Sequence, residues 1–110
     1  MQKNYLWEAA SAVPKKAIPV LSFPATQPLG ITVNQLVHSA ELQAQAMVYV
    51  AEHTPTAAAV SLMDLSVEAE AFGATVHFAD DEVPNVSGQL IADEDAAKAM
   101  AVPPLSAGRA

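Results

Sequence analysis

The chain has 110 residues, 52 % of them hydrophobic and only 15 % charged, with a formal net charge of −7. That length suits one domain rather than two. Five basic residues are too few for a nucleic-acid surface, and the absence of cysteine excludes disulfides and thiolate metal sites. Much of the apolar fraction is alanine, and the six aromatics are Trp7, Tyr5, Tyr49, Phe23, Phe72 and Phe78. A core built from these residues is thin, so the chain reads as part of a larger structure. No apolar run has the makings of a signal peptide or approaches the ~20 residues of a membrane span, which makes the cytoplasm the expected compartment.

Residues 1–17 read as a leader: a weakly amphipathic segment around Tyr5, Leu6 and Trp7, then Ser11, Pro14 and the basic pair Lys15-Lys16. Ile18–Phe23 is a short apolar run interrupted by Pro19 and closed by Pro24, and suits a first strand. Ala25–Ile31 carries loop chemistry. Thr32 followed by Val33-Asn34-Gln35 is a capping-box pattern, and Ser39 opens a longer helix to about His53. In that helix Leu42, Ala46, Tyr49 and Val50 share one face. Pro55 ends it.

Thr56–Met63 is a near-continuous apolar run, the pattern of a strand buried on both faces in a parallel sheet. It ends in Asp64. A carboxylate there either starts the next helix or is a functional group at a strand's carboxyl end. Leu65–Phe72 is predicted as a short helix with Gly73 just past its end. Ala74–Phe78 alternates weakly, Asp80-Asp81-Glu82 is a solvated acidic run, and Asp93 caps a helix over Glu94–Met100 that Val102-Pro103-Pro104 stops. Strand, helix, strand, helix is the grammar of a parallel α/β fold. Two core strands are too few to complete such a sheet, and an exposed parallel edge is a liability.

Three pieces together, Met63-Asp64-Leu65, Glu68-Ala69-Glu70-Ala71-Phe72-Gly73 and the acidic turn into Pro84, resemble the uroporphyrinogen decarboxylase family. That family includes corrinoid-dependent methyltransferases of the methylcobamide:coenzyme M type. Asp93-Glu94-Asp95 and the helix leading to Val102-Pro103 add to the resemblance by order and spacing, over Ile18 to Arg109. The resemblance implies a (β/α)8 TIM barrel of which 18–110 supplies the first β-α-β units, an incomplete N-terminal portion. It places Asp64 at the family's acidic position after the second strand, as the catalytic or pocket carboxylate. Ser22, Phe23 and Met63 are then expected near the pocket rim as substrate-binding residues.

Where the decarboxylases carry an arginine-bearing loop that grips substrate carboxylates, this chain has Ser22-Phe23-Pro24-Ala25-Thr26-Gln27-Pro28, with no arginine. The methyltransferase branch fits that departure better. For the intact enzyme this branch implies zinc, held by a His-x-Cys pair and a later Cys, and as partner a corrinoid protein or a small-molecule methyl acceptor. No such ligand set occurs here: His38, His53 and His77 are not at metal spacing and read as surface or helix-end residues. The chain alone is therefore expected to bind no cofactor, to be inactive by itself, and to need the remainder of the barrel. Glu68 and Glu70 read as a solvated helix face, and Met63 also reads as an ordinary core residue. Two other readings stand beside this one: a tetrapyrrole decarboxylase relative with an altered carboxylate loop, and a non-catalytic truncated interaction module. Neither nucleic acid nor membrane is an expected partner.

Overall fold

The computed structural model describes residues 4–109, arranged as two compact units. The first comprises Met1–Ile31 with Ser39–Leu62, the second Thr32–His38 with Met63–Ala110.

In the first unit, helix α1 (Tyr5–Ser11) is capped by the Asn4 side chain and buries none of its residues. A tight 3-10 turn at Phe23–Ala25 runs into the short helix α2 (Thr26–Leu29). Pro24 sits at the start of that turn, where its fixed φ is already helical and its missing N–H costs nothing. The longest helix, α4 (Ala40–His53), is capped at Ser39, whose hydroxyl accepts from the Leu42 N–H at 3.3 Å. Its inward face is the expected one: Ala46 and Val50 are buried, Leu42 and Tyr49 half-buried. The 3-10 turn packs on this helix and buries Ala25. The Tyr5 hydroxyl donates to the Ala57 carbonyl, which ties α1 to the segment after α4.

The two expected core strands are not strands. Ile18–Phe23 and Thr56–Met63 form no ladder, and Phe23 belongs to the 3-10 turn instead. Among the described residues one backbone hydrogen bond joins these segments, Ala57 N–H to the Ala17 carbonyl at 2.8 Å. Parallel strands are held by neighbours on both sides and by covering helices. With Pro19 and Pro24 removing two donors and no further strand beside them, the runs settle as irregular chain. The observed architecture is therefore helices with one small sheet; a barrel is not seen.

In the second unit, helix α3 (Val33–Val37) begins with the expected capping box: the Gln35 N–H donates to Thr32 Oγ1 at 3.1 Å and the Thr32 N–H to Gln35 Oε1 at 2.8 Å. It buries Val33, Leu36 and Val37. Helix α5 (Ser66–Ala71) packs on an antiparallel pair, β1 (Thr75–His77) and β2 (Asn85–Ser87), in which Val76 faces Val86. Gly73, at φ +95°, turns the chain from α5 into β1, a conformation closed to most side chains. The Val33 N–H donates to the Asp80 carbonyl at 2.9 Å, fixing α3 to the loop between the strands. Helix α6 (Glu94–Ala99) is capped by Asp93 as expected, with Glu94 and Asp95 in its first turn and Lys98 in its last.

Candidate functional site

The chain's only arginine, Arg109, organises a cluster around Asp64 within the second unit. Gly108 sets it there. At φ +65° it adopts a left-handed conformation, and a Cβ on it would come within 3.3 Å of the Glu70 side chain and 3.4 Å of the Ala71 nitrogen. A side chain there would be strained by the backbone and crowded against α5.

From that position the guanidinium makes four hydrogen bonds. Nη1 donates to Asp64 Oδ2 at 2.6 Å and to the Val37 carbonyl at 3.3 Å. Nε donates to Glu70 Oε2 at 2.6 Å, and Nη2 to Ser66 Oγ at 2.8 Å. The same Ser66 hydroxyl donates onward to Asp64 Oδ1 at 2.6 Å, and the Ser66 N–H reaches that oxygen at 2.9 Å. Phe78 lies under the guanidinium, 4.6 Å from its carbon to the ring centroid, and His38 meets Phe78 edge-on. The cluster thus joins the end of α3, the turn into α5, α5 itself and the residue after β1.

Both charged partners are withdrawn from solvent, the Arg109 side chain 8 % exposed and the Asp64 side chain 7 %. Burial alone would push the Asp64 carboxyl up, but hydrogen bonds from Ser66 and Arg109, together with the guanidinium charge, hold it below its ordinary value. Burial would likewise lower Arg109, and its bonds to Asp64 and Glu70 hold it above the usual range. Two carboxylates share one guanidinium, so the cluster keeps a net negative charge.

Asp64 accepts from the Ser66 N–H and hydroxyl at the turn into α5 and stands in a charged cluster, but no strand precedes it. Glu70 is a correction: it faces inward onto Arg109 instead of lying on a solvated face, whereas Glu68 is exposed as expected. Met63, beside Asp64, is 55 % exposed. Ser22 and Phe23 belong to the first unit, where Phe23 opens the 3-10 turn and Ser22 is 3 % exposed with its hydroxyl unpartnered. Nothing local in the sequence announces Arg109; its one signal is that it is the sole arginine.

The histidines sit at helix ends and on a strand. His38 and His53 each place Nδ1 2.8 Å from a carbonyl one turn back, and exposed His77 has Nε2 2.8 Å from Ser87 Oγ. Among the described residues no three His, Cys, Asp or Glu side chains gather as metal ligands, and no helix is long and apolar enough to cross a membrane.

The family model for uroporphyrinogen decarboxylase matches residues 6–109. The chain belongs to the uroporphyrinogen decarboxylase family. The match begins upstream of Ile18 and runs through Arg109, so all of the cluster lies inside the family region. The mixed helix and small-sheet architecture is consistent with a partial domain of the family. Neither the curated proteins nor the solved structures contain a match to this chain.

Proposed function

We propose that this chain forms the opening portion of a (β/α)8 barrel in a corrinoid-linked methyltransferase of the uroporphyrinogen decarboxylase family. The reaction is transfer of a methyl group between a corrinoid protein and a thiol or related acceptor, with Asp64 a pocket carboxylate and Ser22, Phe23 and Met63 substrate-binding residues.

The observation that carries this reading over the decarboxylase one is the saturation of Arg109. A tetrapyrrole bearing many carboxylates needs cations to meet them, because an unpaired buried carboxylate costs several kcal/mol, in order of magnitude. The segment Ser22–Pro28 supplies none, and the sole guanidinium is spent on Asp64 and Glu70. The cluster's residual negative charge suits a ligand group that donates hydrogen bonds and disfavours an anionic one. Among the described residues the buried Ser22 hydroxyl has no partner, and a bound ligand would satisfy it.

The zinc implied by this branch has no donor set here, since the three imidazoles do not gather and there is no thiolate. What this chain contributes is one wall of a pocket. A cleft of about 500 Å³ in the first unit, lined by Leu29, Ala44, Val48 and Tyr49 with Glu41, Gln45 and Glu52, leaves a mixed helix face for further structure to cover.

The test uses the protein made together with its downstream reading frame. Demethylation of methylcobalamin by a thiol, followed optically, is the expected activity, and Asp64→Ala should lower it at least tenfold. Release of carbon dioxide from a porphyrinogen in place of methyl transfer would overturn the proposal.

A further inference from the structure

We infer that Arg109 is the positioning residue of Asp64, and that Glu70 tunes it by competing for the same guanidinium. This rests on the reading of Asp64 as a pocket carboxylate, and it adds Arg109, 45 positions from Asp64 along the chain, and Glu70, 39 positions from Arg109.

The geometry shows how the control works. Asp64 Oδ1 is fixed by the Ser66 N–H and hydroxyl, so the carboxylate cannot rotate without breaking two bonds. Its other oxygen, Oδ2, accepts from Arg109 alone among the described residues. That oxygen retains an unused lone-pair direction, because a carboxylate oxygen accepts two bonds. Arg109 thus holds the group ionised while one acceptor direction of Oδ2 stays unused among the described residues.

Arg109 is itself held rigidly. The Val37 carbonyl at the end of α3, Ser66 and Glu70 fix its plane, and Phe78 supports its face. A charge shared between two carboxylates serves each less than it would serve one. Glu70 therefore weakens the hold on Asp64, and removing Glu70 should strengthen it. His38 is the other titratable group around the cluster; it touches Phe78, and its Nδ1 lies against the Asn34 carbonyl.

The experiment is carboxyl-carbon NMR of Asp64 in the full chain across a pH titration, with no substrate present. Arg109→Met should move the Asp64 midpoint up toward the ordinary carboxylate value, and Glu70→Gln should move it down. Arg109→Lys should fall between wild type and Arg109→Met, because a single ammonium keeps the charge without the fork. A contact that exerts no hold on the carboxylate would leave the midpoint in place in each folded variant. Should Arg109→Met not fold, Glu70→Gln decides alone: no downward shift overturns the inference. Because no methyl transfer is measured, failure of the methyltransferase reading would not be mistaken for failure of this one.

Discussion

Among the described residues Leu36 is the largest side chain wholly removed from solvent, in a unit whose other buried apolar residues are Val33 and Val37. Leu36→Ala removes three carbons. At about 0.8 kcal/mol per buried methylene the transfer loss is roughly 2.4 kcal/mol. A residual cavity of roughly 50 Å³ adds about 1 kcal/mol. The neighbours Val33 and Val37 share the same short helix, which leaves few side chains able to move in, so the expected total is about 3–4 kcal/mol. Against a typical stability of 5–15 kcal/mol this is a large fraction. Urea unfolding followed by far-UV circular dichroism is the assay, since Trp7 lies on α1 and is 71 % exposed, where its fluorescence reports little of this core. With a slope of about 1.5 kcal/mol per molar urea, the midpoint should fall by roughly 2 M. Leu36→Met should cost less than about 1.5 kcal/mol. A Leu36→Ala loss below about 1 kcal/mol, or equal losses for the two variants, would refute the claim that α3 anchors a packed core.

Two further outcomes follow from single side chains. Ser22→Ala should leave stability unchanged or raise it by up to about 1 kcal/mol, because it removes a buried hydroxyl that has no partner; a loss of similar size in urea unfolding would reveal a bond unaccounted for. Asp64→Asn should cost about 3 kcal/mol at neutral pH, near the lower end for breaking a buried pair, as the amide keeps an acceptor for Ser66. The Asp64 carboxyl lies lower folded than unfolded, so its stabilisation is complete above the unfolded value and is lost as pH falls through the folded one. The gap between wild type and Asp64→Asn should accordingly close in acid; a gap constant across that window would contradict the ion pair.

Helix ends were the most legible part of the chain. Thr32, Ser39 and Asp93 each satisfy an N–H three residues on, and such contacts are written within a few neighbouring residues. Gly73 was legible for the same reason, as a local demand for positive φ. The strands over 18–23 and 56–63 were not, because pairing depends on what lies beside them and not on their own apolar character. The short ladder of Thr75–His77 with Asn85–Ser87 shows the reverse case: the first strand falls in the weakly alternating stretch 74–78, and its partner over 85–87, wholly exposed, carries no signal of burial. Asp64 was singled out by position and family likeness. Its counter-ion lay 45 residues away, and no periodicity relates the two. Glu70 was misread because charged residues on a short helix usually face water, and only a distant guanidinium turned it inward.

Drawing the single guanidinium indoors has a consequence for how this protein meets its surroundings. Lys15, Lys16 and Lys98 lie outermost, so the outward cations among the described residues are ammonium groups, and Lys98 is already engaged by Glu94 at 2.8 Å. Ammonium groups are compact, heavily hydrated point charges that cannot grip a phosphate or carboxylate with a planar two-pronged fit. Among the described residues an anionic molecule meets only separate ammonium charges, on a chain of net charge −7, and no outward planar fork to grip it.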